Sequence, residues 1–349
     1  MIFFSIGLPG RFAEWCDALV LRLVARQHGS VAPVSLDDLE GLASAAIRAR
    51  AANLVVCCRQ PALRLQSEIV RAELPFVVAL GDPRAALRDQ VEVRGIALTD
   101  ATRAVAGSCA TLPTMARAPR ALVLRAADGP DLPAMAAAIA RHFGIGIADG
   151  ELRRLVAELP APRAGPKEHD ASWAAGLGGR EQAIVGGALD PYVRYFADGE
   201  LRRLVWQPDL FFTNPEPAGS ARIAATGPID MTGRARCLVY GPYIALPPGP
   251  WSAEIVIGFS AEAAGISFLV DIYVGSQLAQ THIQPAAEQV VEASLQFTID
   301  EAASQPVEIR IFSERAAFDG RIILGPVRLL PHEAVQDDIQ QHLLGALRR

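Results

Sequence analysis

MIFFSIGLPGRFAEWCDALVLRLV, Met1 to Val24, decides how the rest of the chain is read. An apolar run (Ile2, Phe3, Phe4, Ile6) meets a Gly/Pro turn and then an amphipathic pattern, which predicts a buried strand, a loop and a helix. That is the shape of a phosphate-binding loop, yet Gly7-Leu8-Pro9-Gly10-Arg11-Phe12-Ala13-Glu14 carries neither the lysine nor the hydroxyl such loops place on phosphate and magnesium. The only lysine of the chain is Lys167, far from any strand-loop-helix pattern. Shape therefore points to architecture, while the loop chemistry does not point to phosphate transfer.

Outward from this unit, strand and helix alternate. The pattern predicts a polar stretch at Pro33 to Asp38, a helix over Leu39 to Ala52, a strand Asn53 to Cys58, a helix from about Ala62 to Arg71 and a strand Pro75 to Leu80. Gly81-Asp82-Pro83-Arg84 then opens another helix, Arg120 to Arg125 is a further strand, and helices follow over Ala134 to Phe143 and Glu151 to Leu159. Short apolar strands alternating with amphipathic helices predict a doubly wound α/β domain with a mainly parallel sheet over residues 1–165. Residues 166–189 read as a Pro/Gly-rich connection.

From Asp190 the apolar period changes to two. Runs at Cys237 to Leu246, Trp251 to Ser260, Gly265 to Val274, Val290 to Ile299, Val307 to Ser313 and Arg321 to Leu330, separated by turn residues, predict an all-β antiparallel sandwich of jelly-roll type over residues 190–330. Residues 331–349 space Val335, Ile339, Leu343 and Leu347 four apart, which predicts a terminal helix and offers a surface for oligomerisation. Ala148-Asp149-Gly150-Glu151-Leu152-Arg153-Arg154-Leu155-Val156 recurs residue for residue at Ala197 to Val205. The second copy fits a hairpin with an Asp-Gly turn as well as it fits a helix, and no duplicated domain follows from it.

The 349 residues, 51% hydrophobic, suffice for more than one core. A net charge of -5 with no basic, aromatic-interleaved stripe argues against nucleic acid as a partner. No apolar run approaches the roughly 18 residues of a membrane span, and the opening lacks a signal-peptide pattern, so a cytoplasmic protein without membrane insertion is expected. Five cysteines without ligand spacing and six dispersed histidines predict reduced thiols and no metal site. Cys57 and Cys58, adjacent in a strand, point to opposite faces of a covered sheet.

Three segments resemble the sulfotransferase family that uses phosphoadenosine phosphosulfate: Ile6 to Arg11 as its opening loop, Phe76 to Arg88 as its strand, Arg-Asp-Pro-Arg turn and helix, and Ala121 to Phe143 as its late strand, acidic loop and helix. The resemblance implies a phosphate-loop fold, with Gly7, Pro9, Gly10, Arg11, Arg59 and Arg84 as the residues available to a phosphorylated nucleotide. It also implies losses. Gly81 and Asp89 stand where the family holds the 3'-phosphate with Arg and Ser, Glu14 places a carboxylate in the first turn of the helix, and Cys57-Cys58-Arg59-Gln60-Pro61 replaces the segment that carries the base. A guanidinium does not serve as a base near neutral pH. No cofactor is expected on this count, and no catalytic residue is identified.

In the second domain, Tyr240, Tyr243 and Trp251 flank the turn Pro247-Pro248-Gly249-Pro250, a combination that resembles jelly-roll carbohydrate-binding modules in general pattern. Aromatic rings stack on the C–H faces of sugars, so these three are the expected glycan-binding residues. The functional expectation is a non-catalytic or unconventional sulfotransferase-like protein of surface-polysaccharide or glycoconjugate production, whose sandwich binds glycan or a partner protein. An active sulfuryl, phosphoryl or glycosyl transferase with an arginine-based phosphate site is one alternative, and a purely structural interaction module is another.

Overall fold

The computed structural model describes residues 1–49, 53–126, 131–162, 167–214, 223–300 and 305–332. The chain divides into two compact units, one built on Met1–Gly199 and the other on the strands that follow it.

In the first unit the elements run β1 (Ile2–Gly7), α1 (Arg11–His28), β2 (Val31–Ser35), α2 (Leu39–Ala49), β3 (Asn53–Cys58), α3 (Leu63–Arg71), β4 (Phe76–Leu80), α4 (Pro83–Arg88), α5 (Leu98–Arg117), β5 (Ala121–Arg125), α6 (Leu132–His142), α7 (Asp149–Ala157), α8 (Lys167–Gly176) and α9 (Gly179–Asp198). The strands form one parallel sheet in the order β2-β3-β1-β4-β5. Strands β1, β3 and β4 are buried almost throughout, as parallel strands covered on both faces must be. On one side, Trp15, Leu19, Val20, Leu23 and Val24 of α1 form a stripe that packs with Ile139 and Ala140 of α6 and Leu152 and Val156 of α7. Each such side chain contributes roughly 1.5–3 kcal/mol by leaving water. The succession of strands reverses at β1, which puts the loop after it at the position where open α/β sheets bind ligands.

Two expectations are corrected here. Residues 167–189 are not a connection and the sandwich does not begin at Asp190: Lys167–Gly176 and Gly179–Asp198 are helices, and α9 packs on α5. Ile184, Val185, Ala188, Leu189 and Tyr192 of α9 are buried at helical spacing, the Gly178 amide donates to the Glu181 carboxylate at 2.9 Å, and Gly199 closes the helix at φ 82°. The glycines of this segment conceal its helical period. The polar stretch at Pro33 to Asp38 likewise contains the end of an edge strand, β2, whose exposed positions dilute the apolar pattern. The terminal helix expected over 331–349 falls, beyond His332, outside the described residues.

In the second unit the strands are β6 (Leu204–Trp206), β7 (Phe212–Thr213), β8 (Ile223–Ala224), β9 (Ile229–Asp230), β10 (Arg236–Tyr240), β11 (Pro242–Ile244), β12 (Gly249–Phe259), β13 (Phe268–Tyr273), β14 (Gln277–Ile283), β15 (Val290–Ile299), β16 (Val307–Ser313) and β17 (Arg321–Pro331). Among the described residues they form two antiparallel sheets of jelly-roll type. One follows the order β14-β13-β16-β10-β7-β8 with β11 on β16, and the other β15-β12-β17-β6 with β9 on β17. Inward residues such as Val270, Ile309 and Ile311 of the first and Ile255, Leu295 and Val327 of the second are buried, and Phe259 meets Phe268 between the sheets at 4.8 Å. The repeated nonapeptide takes two conformations. Its first copy is α7 with its N-cap, while its second ends α9, passes through the Gly199 cap and enters β6. The hairpin considered for the second copy is not formed. No helix among the described residues is long and apolar enough to cross a membrane.

Candidate functional site

The turn between β1 and α1 is built by close approach. A Cβ on Gly7 would stand 2.8 Å from the Ala13 Cβ and 2.9 Å from the Ala79 carbonyl oxygen, so only glycine lets the turn lie against β4. Pro9 and Gly10 then deliver the chain into α1, with Gly10 extended at the N-cap. Pro9 of the turn, Glu14 and Asp17 of α1, Pro33, Val34 and Ser35 of β2, Cys57 of β3, Arg59 just beyond it and Arg94 from the segment after α4 line an open cleft of about 460 Å³. Of the residues expected to hold a nucleotide, Pro9 and Arg59 therefore share this cleft.

Every arginine expected to take phosphate is engaged by a carboxylate. Arg59 is ion-paired with Asp17, both largely buried, and its backbone N–H donates to Asp37 Oδ1 at 2.7 Å, as does that of Gln60 at 2.8 Å. Arg11 pairs with Asp89, Nε to Oδ1 at 3.4 Å, and Arg84 donates from Nε and Nη2 to Asp190 Oδ1 at 2.9 and 2.7 Å. Arg94, on the cleft rim, pairs with Glu14. The cleft thus presents two guanidinium groups already neutralised by two carboxylates, and an entering anion would have to displace one of them. Burial, with Asp17 alongside, pushes the Cys57 thiol up to about 12, and burial raises that of Cys58 as well, so neither is a thiolate near neutral pH. Sequence reasoning missed Asp17, Arg94 and Asp190; the Arg84 and Asp190 partners lie 106 residues apart, and no local spacing announces them.

In the sandwich the expected platform is rearranged. Trp251 is 2% exposed and belongs to the core, so it is not a stacking surface. Register explains this: Trp251 pairs with Phe297 and Pro331 in the second sheet, whereas Tyr240 and Tyr243 belong to the first. Those two do come together, with Phe212, at ring separations of 5.7 to 6.3 Å. Tyr243 holds a left-handed backbone (φ 63°), unusual for a bulky residue, and its hydroxyl donates to Glu308 Oε1 at 3.1 Å.

Strand β16 continues this surface. Glu308, Arg310 and Phe312 are half-buried in alternation with buried Val307, Ile309 and Ile311, so the three share the outward face. Cross-strand partners on β13 are Tyr273 for Glu308 and Asp271 for Arg310. Arg310 forks onto Asp271, Nε to Oδ1 at 2.9 Å and Nη2 to Oδ2 at 2.6 Å, and its guanidinium lies 4.2 Å from the Tyr273 ring centroid and 5.4 Å from that of Phe312. The result is a band of rings interleaved with fixed hydrogen-bonding groups. The period of two marks Gly265 to Val274 and Val307 to Ser313 as strands, but Asp271, Tyr273, Glu308, Arg310 and Phe312 are not among the expected glycan-binding residues, because only cross-strand pairing brings them together.

No protein-family model and no curated protein matches the sequence. Solved structures similar to the chain include a mouse sulfotransferase complexed with PAP, 10% identical over 46% of this chain and 64% of that one, with a TM-score of 0.34. The chain thus spans less than two thirds of that sulfotransferase. They also include the xylan-binding module CBM15, 17% identical over 38% of this chain and 98% of that one with a TM-score of 0.28. A family 16 carbohydrate-binding module is 15% identical over 36% and 86%, with a TM-score of 0.24.

Proposed function

We propose that this is a glycan-binding protein of surface-polysaccharide or glycoconjugate production, acting in the cytoplasm, whose α/β unit is a non-catalytic relative of the sulfotransferases. The ring band on the outward face of β7, β10, β16 and β13 carries the reading. Sugars need apolar faces to stack on and directional groups for their hydroxyls, and this face offers both within one sheet. Its charge narrows the ligand: Arg310 is neutralised by Asp271, and Glu308 adds a further carboxylate, so an uncharged saccharide suits it better than a polyanion. The carboxylate partners of Arg11, Arg59 and Arg84 support the non-catalytic half of the proposal.

Affinity electrophoresis of the full chain through gels containing neutral or acidic polysaccharides tests it. Retardation is expected in a neutral polysaccharide and is lost in Tyr273→Ala and Tyr240→Ala variants of unchanged circular dichroism. A parent protein that migrates freely in every polysaccharide overturns the glycan reading and favours a protein partner for the sandwich.

A further inference from the structure

The first N–H groups of a helix have no intrahelical acceptor, and together with the helix dipole they attract an anion. At α1, an 18-residue helix, that attraction is answered from within the chain. The Arg11 N–H donates to Asp89 Oδ2 at 3.0 Å while the Arg11 Nε lies 3.4 Å from Asp89 Oδ1, so one carboxylate receives both the amide and the guanidinium of the same residue. The Asp89 side chain is only 14% exposed. The next residue, buried Gln90, donates from Nε2 to the Pro9 carbonyl at 2.8 Å, and Arg94 of the same segment is ion-paired with Glu14 in the first turn of α1. Packing at Gly10 is close as well: a Cβ there would stand 3.3 Å from the Ala86 Cα and 3.5 Å from Asp89 Oδ2. The segment 89–94 is thereby fastened across the turn at Pro9, Arg11 and Glu14.

We infer that Asp89 is an intramolecular ligand of the β1–α1 turn: its carboxylate occupies the oxyanion position, and a chain lacking that carboxylate accepts inorganic phosphate or sulfate there. The assignment is independent of the sandwich and of what it binds. A carboxylate and a phosphate offer the same acceptor oxygens and a like charge to an N–H and a guanidinium, so one substitutes for the other. The consequence is a turn that keeps its anion-binding geometry while being closed to external anions.

The test is rescue. Full-length Asp89→Ala and Asp89→Ser are compared with the parent by thermal unfolding in sodium phosphate, sodium sulfate and sodium chloride at matched ionic strength. Removing the cap is expected to lower the midpoint by about 3 °C in chloride. Phosphate or sulfate at millimolar concentration should restore at least half of that loss with saturation, while the parent shows no gain over chloride and Asp89→Ala combined with Arg11→Ala shows no restoration. Equal stabilisation of the parent and the variants by phosphate would overturn the assignment, as would restoration that survives loss of Arg11, or variants destabilised with no preference for oxyanions over chloride. If the alanine variant does not fold in chloride, its recovery on refolding into phosphate, but not into chloride, is the same result, and failure in both salts together with an unresponsive serine variant counts against it.

Discussion

Trp251 and Tyr273 are both aromatic residues of the sandwich, and their surroundings set opposite expectations for removing them. Trp251 is buried between strands, so Trp251→Ala leaves a ring-sized cavity and is expected to cost about 3 kcal/mol or more in chemical denaturation. Tyr273 is half-buried under a guanidinium, and Tyr273→Ala should cost less than about 1.5 kcal/mol while abolishing saccharide retention. Near the turn, Gly7→Ala forces a methyl within 3 Å of a backbone oxygen, and a loss of about 1–3 kcal/mol is expected on the same measurement. Cys57 lines the cleft, but burial, with Asp17 alongside, pushes its thiol up to about 12, so it should resist iodoacetamide at pH 7.5 and react only when the protein is unfolded. Mass spectrometry of the native protein, showing rapid modification at Cys57, would contradict that electrostatic account.

At the scale of elements, α9 makes the sharpest prediction. A Pro/Gly-rich connection would be cut by protease, whereas a helix with Ile184, Val185, Leu189 and Tyr192 buried should not be. Limited proteolysis is expected to spare Gly179–Asp198, and a chain truncated at Gly178 should lose stability through the surface uncovered on α5. The same element shows where the sequence is hard to read. Strands with one buried face alternate visibly, and Val290–Ile299 and Val307–Ser313 have the bounds their period gives. Buried parallel strands are apolar runs, and β3 was legible for that reason. Elements made of small or polar residues were not: α9 hides its stripe among glycines, and the edge strand β14 (Gln277–Ile283) places only Ile283 in the core. The site was less legible still. The loop and its arginines could be named from spacing, but the acids that neutralise them arrive from α1, from the segment after α4 and from α9, and only folding brings them together. Conversely, grouping Trp251 with Tyr240 and Tyr243 assumed that proximity across a turn means a shared face, and the chain changes sheets between them.

Taken whole, the molecule joins a strand-loop-helix turn whose arginines are paired with carboxylates to a sandwich face of aromatic rings and fixed hydrogen-bonding groups. Calorimetry with adenosine 3',5'-bisphosphate should therefore register no binding at micromolar concentrations, and micromolar affinity lost in Arg11→Ala would restore the transferase reading. The nonapeptide ADGELRRLV carries a practical consequence of its own. It occurs twice in one chain, once as a helix and once as a cap running into a strand. A monoclonal antibody raised against the free peptide would thus meet two copies per denatured chain on a blot. On the native protein, one raised against the helical form would meet a single copy, and the ratio of the two signals would report the folded fraction without any label.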